Sequence, residues 1–256
     1  MTHQFSTGLF PIIIIGSPRS GTSMLHWSLC QHERLWGSAE SDLFLPFTRY
    51  LGQLFDEGRR FKDWNWLDAE GVERDEFMAR MGAGVEALFA SRAGGCHWVE
   101  QSPSNTWALP EINRLLPDAR YLFIHRDGRQ VVESMMSLQQ WSFKKAVKTW
   151  HEANQCALSF EGLEAGKVLR VSYESLVRDC APVLAAVWQF LGLDECRESI
   201  QYINSKPPIN VSPDYTAQTS MQKLEPRYHG WSKFRTALFW KKAGKEMEQL
   251  GYVIEK

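Results

Sequence analysis

No apolar run in the chain approaches the roughly twenty residues that a bilayer-spanning helix needs. Residues 1–9 have neither the basic start nor the apolar centre of a secretory leader. The expectation is a cytoplasmic protein without a membrane span. An excess of either charge is also missing: 29 Lys and Arg against 30 Asp and Glu leave a net charge of -1. A protein so balanced has no general field for nucleic acid, so any anion site must come from local arrangement. Cysteines number 5 and form no Cys-x-x-Cys pair, which leaves them as reduced structural thiols and gives no reason to expect a metal. Internal repeats and low-complexity linkers are absent. The 256 residues are therefore expected to form one domain spanning 1–256, long enough to bury roughly three quarters of the unfolded surface.

What the chain does have begins at Pro11-Ile-Ile-Ile-Ile-Gly16-Ser-Pro-Arg19-Ser20-Gly21-Thr22-Ser23. Four β-branched isoleucines suit a strand buried on both faces, and the Gly/Pro/Ser cluster after them cannot continue it. From Thr22 the apolar residues Met24, Leu25 and Leu29 fit a helical period. Unpaired N–H groups and a positive dipole end then converge on the loop, a place suited to anions. Gly16 and Gly21 have the glycine spacing of a Walker A loop, but Thr22 stands where that motif needs lysine. The cation is Arg19, inside the loop, whose planar fork suits phosphate or sulfate oxygens. The plainer reading is a glycine-rich connection with no function.

The strand, loop, helix pattern returns. Cys96–Glu100 reads as a strand broken by Gln101-Ser102-Pro103, Arg120–His125 as a strand leading through Arg126-Asp127-Gly128-Arg129 into a helix, and Lys167–Tyr173 as a fourth strand. With helices between, these imply an α/β fold with a mostly parallel central sheet, its ligands lying beyond the carboxyl ends of the strands. Glu33–Ser41 reads as a polar connection in which Glu40 has the local pattern of a helix cap. Phe47–Ala93, Lys144–Leu163, Pro182–Leu191 and Trp231–Gly251 read as helices, the last two closed by glycine. Asp127 and Arg129 are expected to cap a helix or pair on the surface. The Pro-, Ser- and Thr-rich stretch Ser205–His229 is expected to be a loop or lid, with Arg227 and Lys233 as solvated charges.

Pro18-Arg19-Ser20-Gly21-Thr22-Ser23 resembles the 5′-phosphosulfate loop of the sulfotransferases that use 3′-phosphoadenosine 5′-phosphosulfate (PAPS), in the Pro-Arg-Ser-Gly-Thr form of the tyrosylprotein, carbohydrate and bacterial branches. Arg126 and Ser134, eight residues apart after a strand, match that family's 3′-phosphate signature. The resemblance implies a P-loop-like sulfotransferase fold with PAPS as co-substrate and no metal. Arg19, Ser20, Gly21, Thr22 and Ser23 would form the phosphosulfate loop, with Arg126 and Ser134 on the 3′-phosphate and Tyr173 near the adenine. Glu40, about twenty residues beyond the loop arginine, would be the acceptor's general base, with Arg19 as its catalytic partner. It also implies a small-molecule, glycan or lipid hydroxyl acceptor, and leaves oligomeric state open. One departure stands out: Gln101 occupies a position where the family usually has lysine. The competing readings are a P-loop phosphotransferase, which lacks its loop lysine here, and an inactive domain that binds the desulfated product PAP.

Overall fold

The computed structural model describes residues 8–61, 64–205 and 227–252. In chain order the elements are β1 (Ile12–Ile15), α1 (Thr22–Leu29), β2 (Leu35–Gly37), α2 (Phe44–Gly58), α3 (Trp66–Ala69), α4 (Arg74–Ala93), β3 (His97–Glu100), a 3-10 turn (Pro103–Trp107), α5 (Leu109–Leu115), β4 (Arg120–His125), α6 (Gly128–Leu138), α7 (Phe143–Leu163), β5 (Val168–Ser172), α8 (Tyr173–Arg178), α9 (Cys180–Leu191), α10 (Arg197–Ser205), a second 3-10 turn (Arg227–Gly230) and α11 (Lys233–Gln249). The lid expected over 205–229 lies, from 206 to 226, outside the described residues.

The five strands form one parallel sheet in the order β2-β3-β1-β4-β5. The isoleucine run sits at its centre, each residue fully buried. Successive side chains of a strand point to opposite faces, so Ile13 and Ile15 join the cluster built by β4 residues Tyr121 and Phe123 with α5, α6, α7 and α11. Ile12 and Ile14 join Leu122, Ile124 and the α1, α8 and α9 side chains on the other face. Two cores thus sandwich the sheet, which is why its strands read as continuous apolar runs rather than alternating ones.

The chain leaves β1 toward β2 on one side of the sheet and leaves β4 toward β5 on the other. A crevice opens at the carboxyl ends of strands whose connections diverge in this way. The loops after β1 and β4 therefore face the same opening, and they carry Arg19 and Arg126.

Three expectations need correction. The stretch read as a polar connection holds β2, an edge strand paired with β3 through Leu35 and His97; a strand of 3 residues is too short to show a period. The fourth strand stops at Ser172, whose hydroxyl accepts the Ser175 N–H and caps α8, so Tyr173 opens a helix rather than closing a strand. Asp127 and Arg129 do pair, and Asp127 does cap α6 by accepting the Arg129 N–H. They do so in the interior, with side chains only 7% and 11% exposed; their opposite charges sit in a fork geometry that permits burial. All 5 cysteines are free thiols.

Candidate active site

The loop after β1 is built from residues that tolerate its shape. Gly16 packs so closely on the Ile124 carbonyl that a Cβ has no room, and Gly21, at φ 101, lies against the Tyr173 ring, where a Cβ would come within 2.5 Å. Only glycine meets both demands. Thr106 from the first 3-10 turn clamps the loop's start, its hydroxyl accepting the Gly16 N–H (2.9 Å) and donating to the Gly16 carbonyl (3.0 Å). Ser20 N–H donates to the Ser17 carbonyl at 3.1 Å and tightens the turn. No side chain caps α1, and its first turn holds no acidic residue, so the first-turn N–H groups stay directed at the loop.

The loop after β4 meets this one directly. Arg126 Nη1 donates to the Arg19 carbonyl (3.4 Å) and Nη2 to Gln130 Oε1 (3.0 Å). Its guanidinium lies 4.2 Å from the Tyr173 ring centroid, so Tyr173 stands between Arg126 and Gly21. Arg19 Nε donates to Ser134 Oγ at 3.1 Å on α6. The sequence separates these groups into two ends of a donor nucleotide, whereas in the structure the loop arginine, the strand-end arginine and Ser134 form one continuous cluster. Burial and the neighbouring Arg126 charge lower the Arg19 pKa, and Glu40 opposes that shift.

Glu40 lies exposed on the connection between β2 and α2. Partial desolvation, followed by the charges of Asp42 and Glu100, pushes its carboxyl above the usual range, while Arg19 pulls it back. The predicted base and the predicted loop cation therefore share one electrostatic environment. Ser20 closes the turn and Thr22 and Ser23 open α1, with Ser20 and Thr22 buried. Gln101, at the end of β3, is 3% exposed with an Oε1 that has no hydrogen-bond partner; it brings no charge to the crevice.

Sequence reasoning missed two groups that hold these loops. The first is Glu100, 2% exposed. Its Oε1 accepts from the Ser41 N–H (3.1 Å), the Ser41 hydroxyl (2.8 Å) and the Ser102 hydroxyl; its Oε2 accepts from the Ser102 N–H (3.0 Å) and the Asn105 amide. An acceptor meeting only donors is the pattern of an ionised carboxylate. It ties the Glu40 connection to the end of β3. The available signal was an acid at a strand's carboxyl end followed by Ser-Pro.

The second is Glu174, which accepts the Asp127 N–H (2.8 Å), the Tyr252 hydroxyl (2.7 Å) and the Ser172 hydroxyl (3.2 Å). Tyr252 in turn accepts from His125 Nδ1 at 3.0 Å, which fixes that ring's tautomer. Burial, helped by Arg170, lowers the His125 pKa to about 4 and keeps it neutral. No local pattern announces this network, because its members come from β4, the N-terminal cap of α6, β5, α8 and Tyr252, three residues past the end of α11.

The crevice suits an anion. Ser20 Oγ and Arg126 Nε are buried with no partner in the structure, and both are donors. Together with the α1 amides, Thr22, Ser23 and the two guanidiniums they form a donor set that matches phosphate and sulfate oxygens and that no cationic ligand would satisfy. Among the described residues no group of three or more His, Cys, Asp or Glu side chains is placed to hold a metal ion, and no helix is long and apolar enough to cross a membrane.

Comparison with known proteins bears on the family and the fold. A profile described as Sulfotransferase family matches residues 11–197. Protein-tyrosine sulfotransferase 2 of Gallus gallus is 27% identical over 201 residues, covering 75% of this chain and 53% of the relative. Protein-tyrosine sulfotransferase 1 of Homo sapiens is 30% identical over 129 residues, covering 50% and 34%. The chain thus spans about half or less of the length of these two relatives. Among solved structures, the sulfotransferase domain from the Synechococcus PCC 7002 olefin synthase superposes with a TM-score of 0.69 at 21% identity, covering 96% of this chain and 97% of that one. Mouse sulfotransferase SULT7A1 complexed with PAP gives 0.54 at 11% identity, covering 93% and 85%. At these identities the superpositions speak for the fold.

Proposed function

The chain belongs to the sulfotransferase family, and we propose that it transfers a sulfuryl group from PAPS to an acceptor hydroxyl by in-line displacement. One observation carries the proposal: a donor-rich cluster at the β1/β4 crevice, with an orphaned Ser20 hydroxyl and Arg126 Nε, stands in electrostatic contact with a carboxylate of raised basicity, Glu40. PAPS supplies the activated sulfuryl group, and every other contribution falls to the chain.

The α1 amides with Ser20, Gly21, Thr22 and Ser23 bind the 5′-phosphosulfate end, and Arg126 with Ser134 binds the 3′-phosphate. Tyr173, held against both loops, sets their separation and supports the adenine side. Arg19 leaves Ser134 to neutralise charge that grows on the departing oxygen; one preorganised donor of this kind lowers a barrier by about 3 kcal/mol. Glu40 takes the acceptor's hydroxyl proton, and its raised proton affinity favours that step. Placement and electrostatics account for the chemistry, with no covalent intermediate on the protein.

The acceptor class is a hydroxyl on a small molecule, glycan or lipid. The matched relatives are named for protein tyrosine, so a tyrosyl peptide belongs in the acceptor screen. A cytoplasmic setting is part of the same proposal. Thermal stabilisation by PAP, compared with ATP plus magnesium, comes first, followed by sulfate transfer from labelled PAPS. PAP should raise the melting temperature and ATP with magnesium should not. Glu40→Gln should keep the PAP shift and lose turnover. Stabilisation by ATP with magnesium alone would favour a phosphotransferase, and PAP binding without transfer to any acceptor would favour an inactive domain.

A further inference from the structure

A second surface, built from residues that the proposed chemistry leaves unused, lies between α7 and α11. A cleft of about 470 Å³ is lined there by Phe143, Val147 and Leu238 and rimmed by Lys144, Lys148 and Lys242. One turn before Leu238, Phe234 is 76% exposed. Lys144 and Lys148 are four residues apart and project on one helix face, and Lys242 meets them from α11. Lys148 has only a surface pairing with Glu152 at 3.7 Å, whose hold is weak. Lys144 and Lys242 have no carboxylate partner among the described residues.

The surroundings keep the same sign. α11 carries Lys233, Arg235, Lys241, Lys242 and Lys245 against Glu246 and Glu248. Glu246 is buried and bonded to His151, which leaves Glu248 as the one acidic residue of that helix facing solvent. In a chain of net charge -1 this is a local concentration of positive charge, and it surrounds apolar side chains.

We propose that the α7/α11 face docks on a membrane surface containing anionic phospholipid. The apolar floor takes acyl carbon, Phe234 and Leu238 enter the interface, and the lysines meet headgroup phosphates while their stems lie along the apolar floor. Charge complementarity selects this occupant. A zwitterionic surface has no net negative potential to attract the lysines, and a polyanion such as nucleic acid leaves Phe234 and Leu238 in water. The docking is peripheral and reversible, and it is separate from the PAPS crevice.

The test is co-sedimentation of the full chain with phosphatidylcholine vesicles and with vesicles in which a third of the lipid is phosphatidylglycerol, at low and high salt. The chain should pellet only with the anionic vesicles and be released by salt. Each basic residue at an anionic surface contributes roughly a fivefold gain in binding, so Lys144→Glu/Lys242→Glu should lower it by at least about twentyfold. Phe234→Ser/Leu238→Ser should weaken binding while keeping its salt dependence. Unchanged melting temperature and PAP shift in both variants confirm that the fold is intact. Wild-type protein remaining in the supernatant, vesicle binding that survives both double variants, equal binding to both vesicle types, or displacement from anionic vesicles by short duplex DNA would each overturn the proposal.

Discussion

Replacing Glu100 with glutamine should disturb stability and catalysis in separable ways. The carboxylate is 2% exposed and accepts from five donors. In Glu100→Gln the carbonyl oxygen can keep the Ser41 and Ser102 hydroxyl contacts. The new amide nitrogen then faces the Ser102 N–H and the Asn105 amide, both donors. Asn105 has a way out: its Oδ1 lacks a partner, so flipping its amide offers an acceptor to the new nitrogen. The Ser102 N–H has none, and a stranded buried donor costs about 1–3 kcal/mol. Weakening of the remaining charge-assisted bonds is offset in part by no longer burying a charge. The net loss should be about 2 kcal/mol, and Glu100→Ala, which strands every donor at once, should lose at least about 4 kcal/mol.

The catalytic effect has a different signature. Glu100 is one of the charges raising the Glu40 pKa, so its neutralisation should move the acid limb of the pH–rate profile to lower pH. Urea unfolding reads the first effect, and the pH dependence of kcat/KM for sulfate transfer reads the second. If Glu100→Ala is as stable as wild type, the hydrogen-bond accounting is wrong. An acid limb that stays in place in a folded, active Glu100→Gln variant would show that Glu40 does not sense this charge and is not the titrating base.

Arg126→Ala should weaken PAP binding at least tenfold, a loss of about 1.5–3 kcal/mol for a charged hydrogen-bonding partner, and Arg126→Lys should recover only part, since an ammonium cannot reproduce the fork; calorimetric titration with PAP decides it. Gly21→Ala places a methyl group against the Tyr173 ring at a φ of 101. About 2–4 kcal/mol of stability should be lost, and Tyr173→Ala should relieve the clash, although not the backbone strain, when the two are combined. His26 and His125 are both held neutral with pKa values lowered to about 4. Lowered folded-state values mean that the unfolded chain binds more protons, so their contribution is complete above pH 6.5 and is lost as pH falls toward 4. Each should add a slope approaching about 1 kcal/mol per pH unit in that window, visible in denaturant midpoints and reduced in His125→Gln.

The framework was legible because its determinants are local. Four isoleucines followed by a glycine loop specify a central strand and an abrupt turn, and β4 repeats the pattern before Arg126. β2 was not legible because Leu35-Trp36-Gly37 owes its strand state to pairing with β3, a contact of long sequence separation. The separation of roles along the chain was also clearer than their placement in space. Arg19 and Ser134 are 115 residues apart in sequence, and nothing in either segment says that they touch. Glu100 and Glu174 escaped for the opposite reason. Each looks like an ordinary surface acid, and only burial against donors from other elements shows that it holds a loop.

The backbone at Arg19 links the fold to the chemistry proposed for it. Its φ of 72 places a long side chain in the left-handed region, which for a residue other than glycine costs of order 1–3 kcal/mol. Gly16 and Gly21 flank the position and would have adopted such a shape without that cost, so backbone economy does not explain an arginine there. Pro18 restricts the preceding turn, the Ser20 N–H closes on Ser17, and Arg126 grips the Arg19 carbonyl. The strained residue is therefore held from both sides by the elements that form the anion crevice. Its side chain projects into that crevice, where burial and Arg126 already disfavour its charge. The like-charge repulsion between the two guanidiniums is the part of this cost that negative charge bound in the crevice offsets. A donor with a negative group at each end, as proposed for PAPS, would compensate both guanidiniums at once.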